Sequence, residues 1–170
     1  MNEPYSAVIR KSTKKSIWSL KNVMDCVPDD MWDALYCDTP LYKHIYHTLH
    51  SLDRWYMNPD VYTEPDIHTQ GLNDLNTPAN EYLSRELLNG YANRVEAKIT
   101  NYLDTLTDDM LNEMPDGCAY TRFDLILAQH RHLDMHIGML MGYIIAKTGR
   151  WPKVLGLIGE ISQRGQCEYD

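Results

Sequence analysis

The chain has 170 residues, 24 acidic against 16 basic side chains, a formal net charge of −8 and 44 % hydrophobic content. That length suits one domain with a real core. A nucleic-acid-binding surface would need a basic stripe, and none is visible, while no apolar run approaches the ~20 residues needed to span a bilayer.

A first helix is expected from about Ser6 to Met24, with Ala7, Ile17, Leu20 and Met24 among its apolar positions and Pro28 beyond its end. The cluster Arg10-Lys11-Ser12-Thr13-Lys14-Lys15 reads as its solvated face. A second helix is expected from about Thr39 to Tyr56, with Thr39 as N-cap, Pro40 at the first helical position and Asn58-Pro59 past its end. Residues 59–76, rich in Asp, Asn, Thr, Pro and Gly, exceed an ordinary helix connection and have the composition of a lid or Ω-loop. The third helix should run from about Thr77 to Leu106, again entered through Thr-Pro. The fourth should run from Thr121 to a C-capping Gly149, with Pro152 beyond.

Asp29-Asp30-Met31-Trp32 after helix one and Asp108-Asp109-Met110-Leu111 after helix three echo one another as short turns, in keeping with two related helical hairpins. Strand alternation is scarce. The prediction is an all-α four-helix bundle occupying residues 1–170 as a single domain, with a long loop between helices 2 and 3 and a disordered tail from about residue 160. Cys26, Cys37, Cys118 and Cys167 form no C-x-x-C pair, so neither a zinc knuckle nor a redox dithiol is expected. With no hydrophobic signal core near Met1–Tyr5, the expected location is cytoplasmic. Twelve Tyr and four Trp stand against one Phe, so most aromatic bulk carries a polar handle suited to half-wet pockets.

Arg131-His132-Leu133-Asp134-Met135-His136 places two histidines four apart, one turn above the other on one helix face, where their Cβ atoms lie roughly 5–6 Å apart. Two imidazoles so placed can share a metal ion. Ile126, Leu133, Ile137, Leu140 and Ile144 form the expected core stripe, with the histidines on its flank beside Gln129 and Tyr143. Gly138 and Gly142 would admit a close neighbouring backbone. His130 falls about 200° around from His132 and stays apart, and Asp134 reads as solvated. A third ligand has to come from another helix, and helix two offers His44, His47 and His50. Its apolar stripe is Leu41, Ile45, Leu49 and Leu52. His47 lies roughly opposite that stripe and His44 closer to it, so patterning disfavours His47 without settling the choice. Three neutral imidazoles with an open position would suit zinc, nickel or ferrous iron.

The His-x-x-x-His with a following Gly late in the last helix, taken with Tyr46-His47-Thr48-Leu49-His50-Ser51-Leu52-Asp53-Arg54-Trp55 in the second, resembles the DinB/YfiT-like family. The resemblance implies a four-helix bundle with a divalent metal held by one histidine from helix two and two from the last helix. Characterised relatives include S-transferases that use bacillithiol or mycothiol and a mycothiol-dependent maleylpyruvate isomerase, while many members have no established activity. It assigns His132 and His136 to the metal. In helix two it favours His47, because relatives often carry an acidic residue six positions after the ligand, where Asp53 stands. His50 is the competitor. Accepting His47 requires helix two to be buried on two faces; Tyr42, Tyr46 and Tyr56 allow that if one face serves a homodimer.

The leading expectation is therefore a metal-dependent thiol S-transferase, with a low-molecular-weight thiol as cosubstrate and Gln129, Arg54 and Tyr143 as pocket candidates. The alternative is a non-catalytic, metal-stabilised bundle with a stress-response or interaction role. A third reading leaves the histidines as hydrogen-bonded core residues without metal.

Overall fold

A computed structural model describes residues 3–79, 81–162 and 167–170. Four long helices dominate: α1 (Tyr5–Cys26), α2 (Leu41–Trp55), α3 (Arg85–Thr105) and α4 (Arg122–Thr148). The fold is all-α. No helix is long and apolar enough to cross a membrane among the described residues.

Both ends of α1 and the C-terminal end of α3 are closed by side chains from distant parts of the chain. Pro4 provides no side-chain cap for α1. Instead, the Tyr5 and Ser6 amides donate to the Asp108 carboxylate at 3.0 and 2.8 Å, satisfying two of the orphan N–H groups every helix start exposes. Arg85 donates to the Met24 and Val27 carbonyls at the other end of α1 and lays its guanidinium over Trp32 at 4.2 Å. Arg10 on α1 in turn reaches the Leu103 carbonyl near the end of α3. These contacts tie α1 to α3 in register at both ends.

Each of α1 and α2 packs against both α3 and α4. Helices α1 and α2 thus lie across a diagonal, and the consecutive-hairpin arrangement expected from the paired turns is not the one formed. The turns themselves exist as short 3-10 helices at Asp29–Met31 and Asp109–Asn112. Because α2 sits between two helices and under residues 56–84, it is buried almost all round, including Tyr42, Lys43, His44, Tyr46, Thr48 and His50. Tyr42, Tyr46 and Tyr56, considered above as a dimer face, are buried within the chain itself.

Several boundaries differ from the sequence reading. Thr39 does not cap α2: its hydroxyl donates to the Leu75 carbonyl, and it pairs in a small hairpin, β1 (Leu35–Tyr36) with β2 (Thr39–Pro40). The turn of that hairpin puts Cys37 and Asp38 at φ 50° and 62°, a left-handed pair that tight hairpins require and that Gly or Asn usually signals. With Cys-Asp there, the signal was missing. Helix α3 begins seven residues later than the Thr77 entry implies, with Ser84 rather than Thr77 as its cap. Thr77 is held in a turn by the Asp74 carboxylate and gives its carbonyl to the buried Lys43 ammonium, while Ser84 caps α3 by accepting from the Leu87 amide. Gly138 and Gly142 are exposed, with no atom near where a Cβ would stand, so they admit no close helix.

The expected tail disorder covers residues 163–166, which lie outside the described residues. Residues 167–170 return to the body: Tyr169 bridges Pro152, and Asn22 clamps the Glu168 backbone through both its amide nitrogen and its carbonyl oxygen.

Candidate metal centre

Helix α4 is closed at both ends by local chemistry. Thr121 and Asp124 form a reciprocal capping box, and Gly149 takes a left-handed C-cap at φ 71°. The core stripe Ile126, Leu133, Ile137, Leu140 and Ile144 is buried, which fixes the rotation of the helix. His132 and His136 are thereby turned toward α2.

The third imidazole there is His47. His132 Nε2 lies 3.1 Å from His47 Nε2 and 3.1 Å from His136 Nε2. Ring centroids stand 5.1, 4.8 and 4.4 Å apart around the trio. Tetrahedral coordination at a Zn–N length of 2.0–2.1 Å would place donor atoms about 3.3 Å from one another. The two contacts of His132 Nε2 are close to that spacing without rearrangement.

Tautomers support the same arrangement. His47 Nδ1 sits 2.6 Å from the Asn73 carbonyl, and a carbonyl only accepts, so Nδ1 carries the proton and Nε2 presents a lone pair to the cluster. A backbone acceptor behind a ligating imidazole is the usual outer support of a metal site. His132 Nε2 has two nitrogen neighbours but at most one proton to offer, and its buried Nδ1 has no partner. A hydrogen-bond network therefore cannot use both contacts of His132 Nε2, whereas a cation between three lone pairs would use them all, His132 Nδ1 lacking a partner in either case. Burial first, then the neighbouring histidines, holds His132 down to about 4 and His136 down to about 3. Both are neutral donors at pH 7. His136 is 3 % exposed and forms the floor, while His47 and His132 are only half-buried and leave an open side.

The other helix-two candidates go elsewhere. His44 Nε2 donates to the Tyr36 carbonyl at 2.8 Å, so the histidine nearest the apolar stripe is committed to β1. His50 Nε2 meets the Glu64 carboxylate at 2.6 Å. His130 bonds the Thr13 hydroxyl on the α1 side, and Asp134 is exposed.

Of the pocket candidates, Gln129 is buried and accepts from Ser51 Oγ at 3.3 Å, one turn from the histidines on each helix. Arg54 instead faces Glu64 at 3.8 Å, and Tyr143 packs against Tyr36 with tilted rings whose centroids are 5.3 Å apart. Asp53, the acidic residue that marked His47, reaches α3 rather than the trio, accepting from Tyr91 at 3.0 Å and Lys98 at 2.6 Å.

Asn73, Glu64, His68 and Tyr36 escaped the sequence reading. All lie outside the long helices, where no periodicity predicts which backbone or side chain will reach the site. No protein-family model, curated protein or solved structure matches the chain.

Proposed function

We propose that this chain is a divalent-metal protein of the DinB/YfiT-like type, acting as a metal-dependent thiol S-transferase on a small electrophile. His47, His132 and His136 are its ligands for zinc, nickel or iron. The observation that supports this reading is the convergence of three imidazoles, with His132 Nε2 3.1 Å from both His47 Nε2 and His136 Nε2, and with the Nδ1–H of His47 donating to the Asn73 carbonyl so that its Nε2 faces the cluster. A bound ion of this kind lowers the pKa of a thiol at its open position and so supplies a thiolate nucleophile. The chain's own part is positioning. Asn73 orients His47, the buried His136 closes the inner side, and the half-exposed faces of His47 and His132 leave the approach for thiol and electrophile. Gln129, held by Ser51, is the amide group we assign to the substrate side.

Elemental analysis of untagged protein, wild type against His132→Ala and His47→Ala, comes first. Bound metal should be lost from this centre in both variants. Conjugation of monobromobimane is then followed with bacillithiol, mycothiol or glutathione. Turnover that needs both metal and one thiol supports the transferase. Metal lost in both variants, but without turnover on any thiol, leaves the metal-stabilised bundle with an interaction or stress-response role. Metal unaffected by His47→Ala would remove His47 from the ligand set.

A further inference from the structure

His50 lies three residues beyond His47, about 60° around the same helix, and therefore faces a different neighbour. That neighbour is the segment 56–84 joining α2 to α3. There Glu64 Oε2 approaches His50 Nε2 at 2.6 Å and His68 Nδ1 at 3.7 Å, and the two imidazoles stack with centroids 5.1 Å apart and planes at 25°. All three donor atoms fall within 4.8 Å of one another. Two further groups touch the cluster. Tyr46 Oη is 2.8 Å from His68 Nδ1, and Arg54 is 3.8 Å from the other oxygen of Glu64.

A hydrogen-bond network explains the His50–Glu64 pair and the Tyr46–His68 pair. The bond to Tyr46 sets the direction of His68 Nδ1, and what it leaves over is a second imidazole stacked on His50 with that Nδ1 3.7 Å from the same carboxylate oxygen, too far for a hydrogen bond. Two imidazole nitrogens and one carboxylate oxygen form a donor set that borderline divalent ions such as Zn²⁺ accept, with a position left for water. Equal bonds near 2.0–2.1 Å require donor separations of about 3.3 Å, so the His50–Glu64 contact would open, the Glu64–His68 contact at 3.7 Å would close by a few tenths of an ångström, and His68 Nδ1 would leave Tyr46. Glu64 and His68 sit on a connecting segment rather than a helix, where shifts of that size are ordinary.

We propose that His50, Glu64 and His68 form a second divalent-cation site, separate from the histidine trio, whose ion pins segment 56–84 to α2. The same segment supplies the Asn73 carbonyl that orients His47, so an ion here steadies the outer support of the first centre.

The test is zinc titration of the full chain after chelator stripping, with circular dichroism as the folding check. Wild type should bind two ions per chain, His68→Ala one, the double variant His132→Ala/His136→Ala one, and the three substitutions together none. Glu64→Gln keeps a hydrogen-bond acceptor for His50 but weakens the metal donor, and it should also drop to one. In the double variant, zinc should slow proteolysis within 56–84 several-fold, and His68→Ala should abolish that protection. A single ion that vanishes with His132→Ala/His136→Ala while His68→Ala leaves it in place would overturn the proposal. So would two ions that both survive His68→Ala and Glu64→Gln.

Discussion

On α2, His47 meets two imidazoles fixed one turn apart on α4, whereas His50 meets a carboxylate and an imidazole carried by the connecting segment 56–84. The first cluster inherits its spacing from helix geometry and from the buried stripe that orients α4, and His132 Nε2 stands 3.1 Å from each of its two neighbours. The second depends on how a connecting segment, with only a 3-10 turn at Pro59–Val61, drapes over α2, and its donor separations run from 2.6 to 3.7 Å about Glu64. A helix-borne site is preorganised by the whole core, while a segment-borne site is only as fixed as its anchors.

Core truncation separates the two most strongly. Leu49 lies on α2 between the two histidines and is 1 % exposed. Leu49→Ala should cost about 3 kcal/mol of global stability, and denaturant should then release metal from both clusters in one transition. Leu72, 3 % exposed, anchors the segment instead. Leu72→Ala should cost nearer about 2 kcal/mol, because the segment relaxes into the space, and should raise proteolysis within 56–84 well before global unfolding. Equal losses, with no local cleavage, would mean the segment is as much a part of the cooperative core as α2.

Acid distinguishes the clusters through burial. His132 and His136 titrate at about 4 and about 3 when folded but near 6.5 when unfolded. Between those values the unfolded chain binds protons that the native chain refuses, so stability falls as pH drops below 6.5. Each histidine contributes a slope of at most about 1.4 kcal/mol per pH unit. In chelator-stripped protein, the pH dependence of urea unfolding should be shallower in His136→Gln than in wild type. His50 is also pushed down by burial, but its bond to Glu64 opposes the shift, so His50→Gln should flatten the profile less. An unchanged slope in His136→Gln would show that its imidazole is not held neutral by the fold.

What could be read from the sequence follows the same division. The four helices, the stripe on α4, the His132–His136 pair and the separateness of His130 all rest on the 3.6-residue period, and the structure reproduces each of them. The period misled on α2 because it assumes one buried face. His47 looked misplaced only until α2 was seen between α3 and α4 and beneath segment 56–84. Thr77 and Thr39 carried good capping chemistry, yet Thr77 used its hydroxyl in a local turn with Asp74 and Thr39 in a tertiary bond to the distant Leu75 carbonyl. Asn73, Glu64 and His68 had no local signature at all. Loop residues that meet a helix across space become legible only when the fold brings them there.

The smallest effect isolates the helix from its ligands. At the start of α4, the Thr121 hydroxyl accepts from the Asp124 amide at 3.1 Å, and the Asp124 carboxylate accepts from the Thr121 hydroxyl at 2.6 Å and its amide at 3.1 Å. Those bonds hold the Asp124 carboxyl below its ordinary range. Thr121→Ala removes the hydroxyl and should cost about 1 kcal/mol, lowering Tm by about 2–4 °C in a protein of this size. His132 lies three turns further along and is held by the buried stripe rather than by the cap, so zinc affinity at the trio should stay within about twofold of wild type. Loss of affinity in step with Tm would mean that fraying of the first turn reaches the histidines, and that the trio's 3.1 Å spacing needs the whole helix rather than the core behind it.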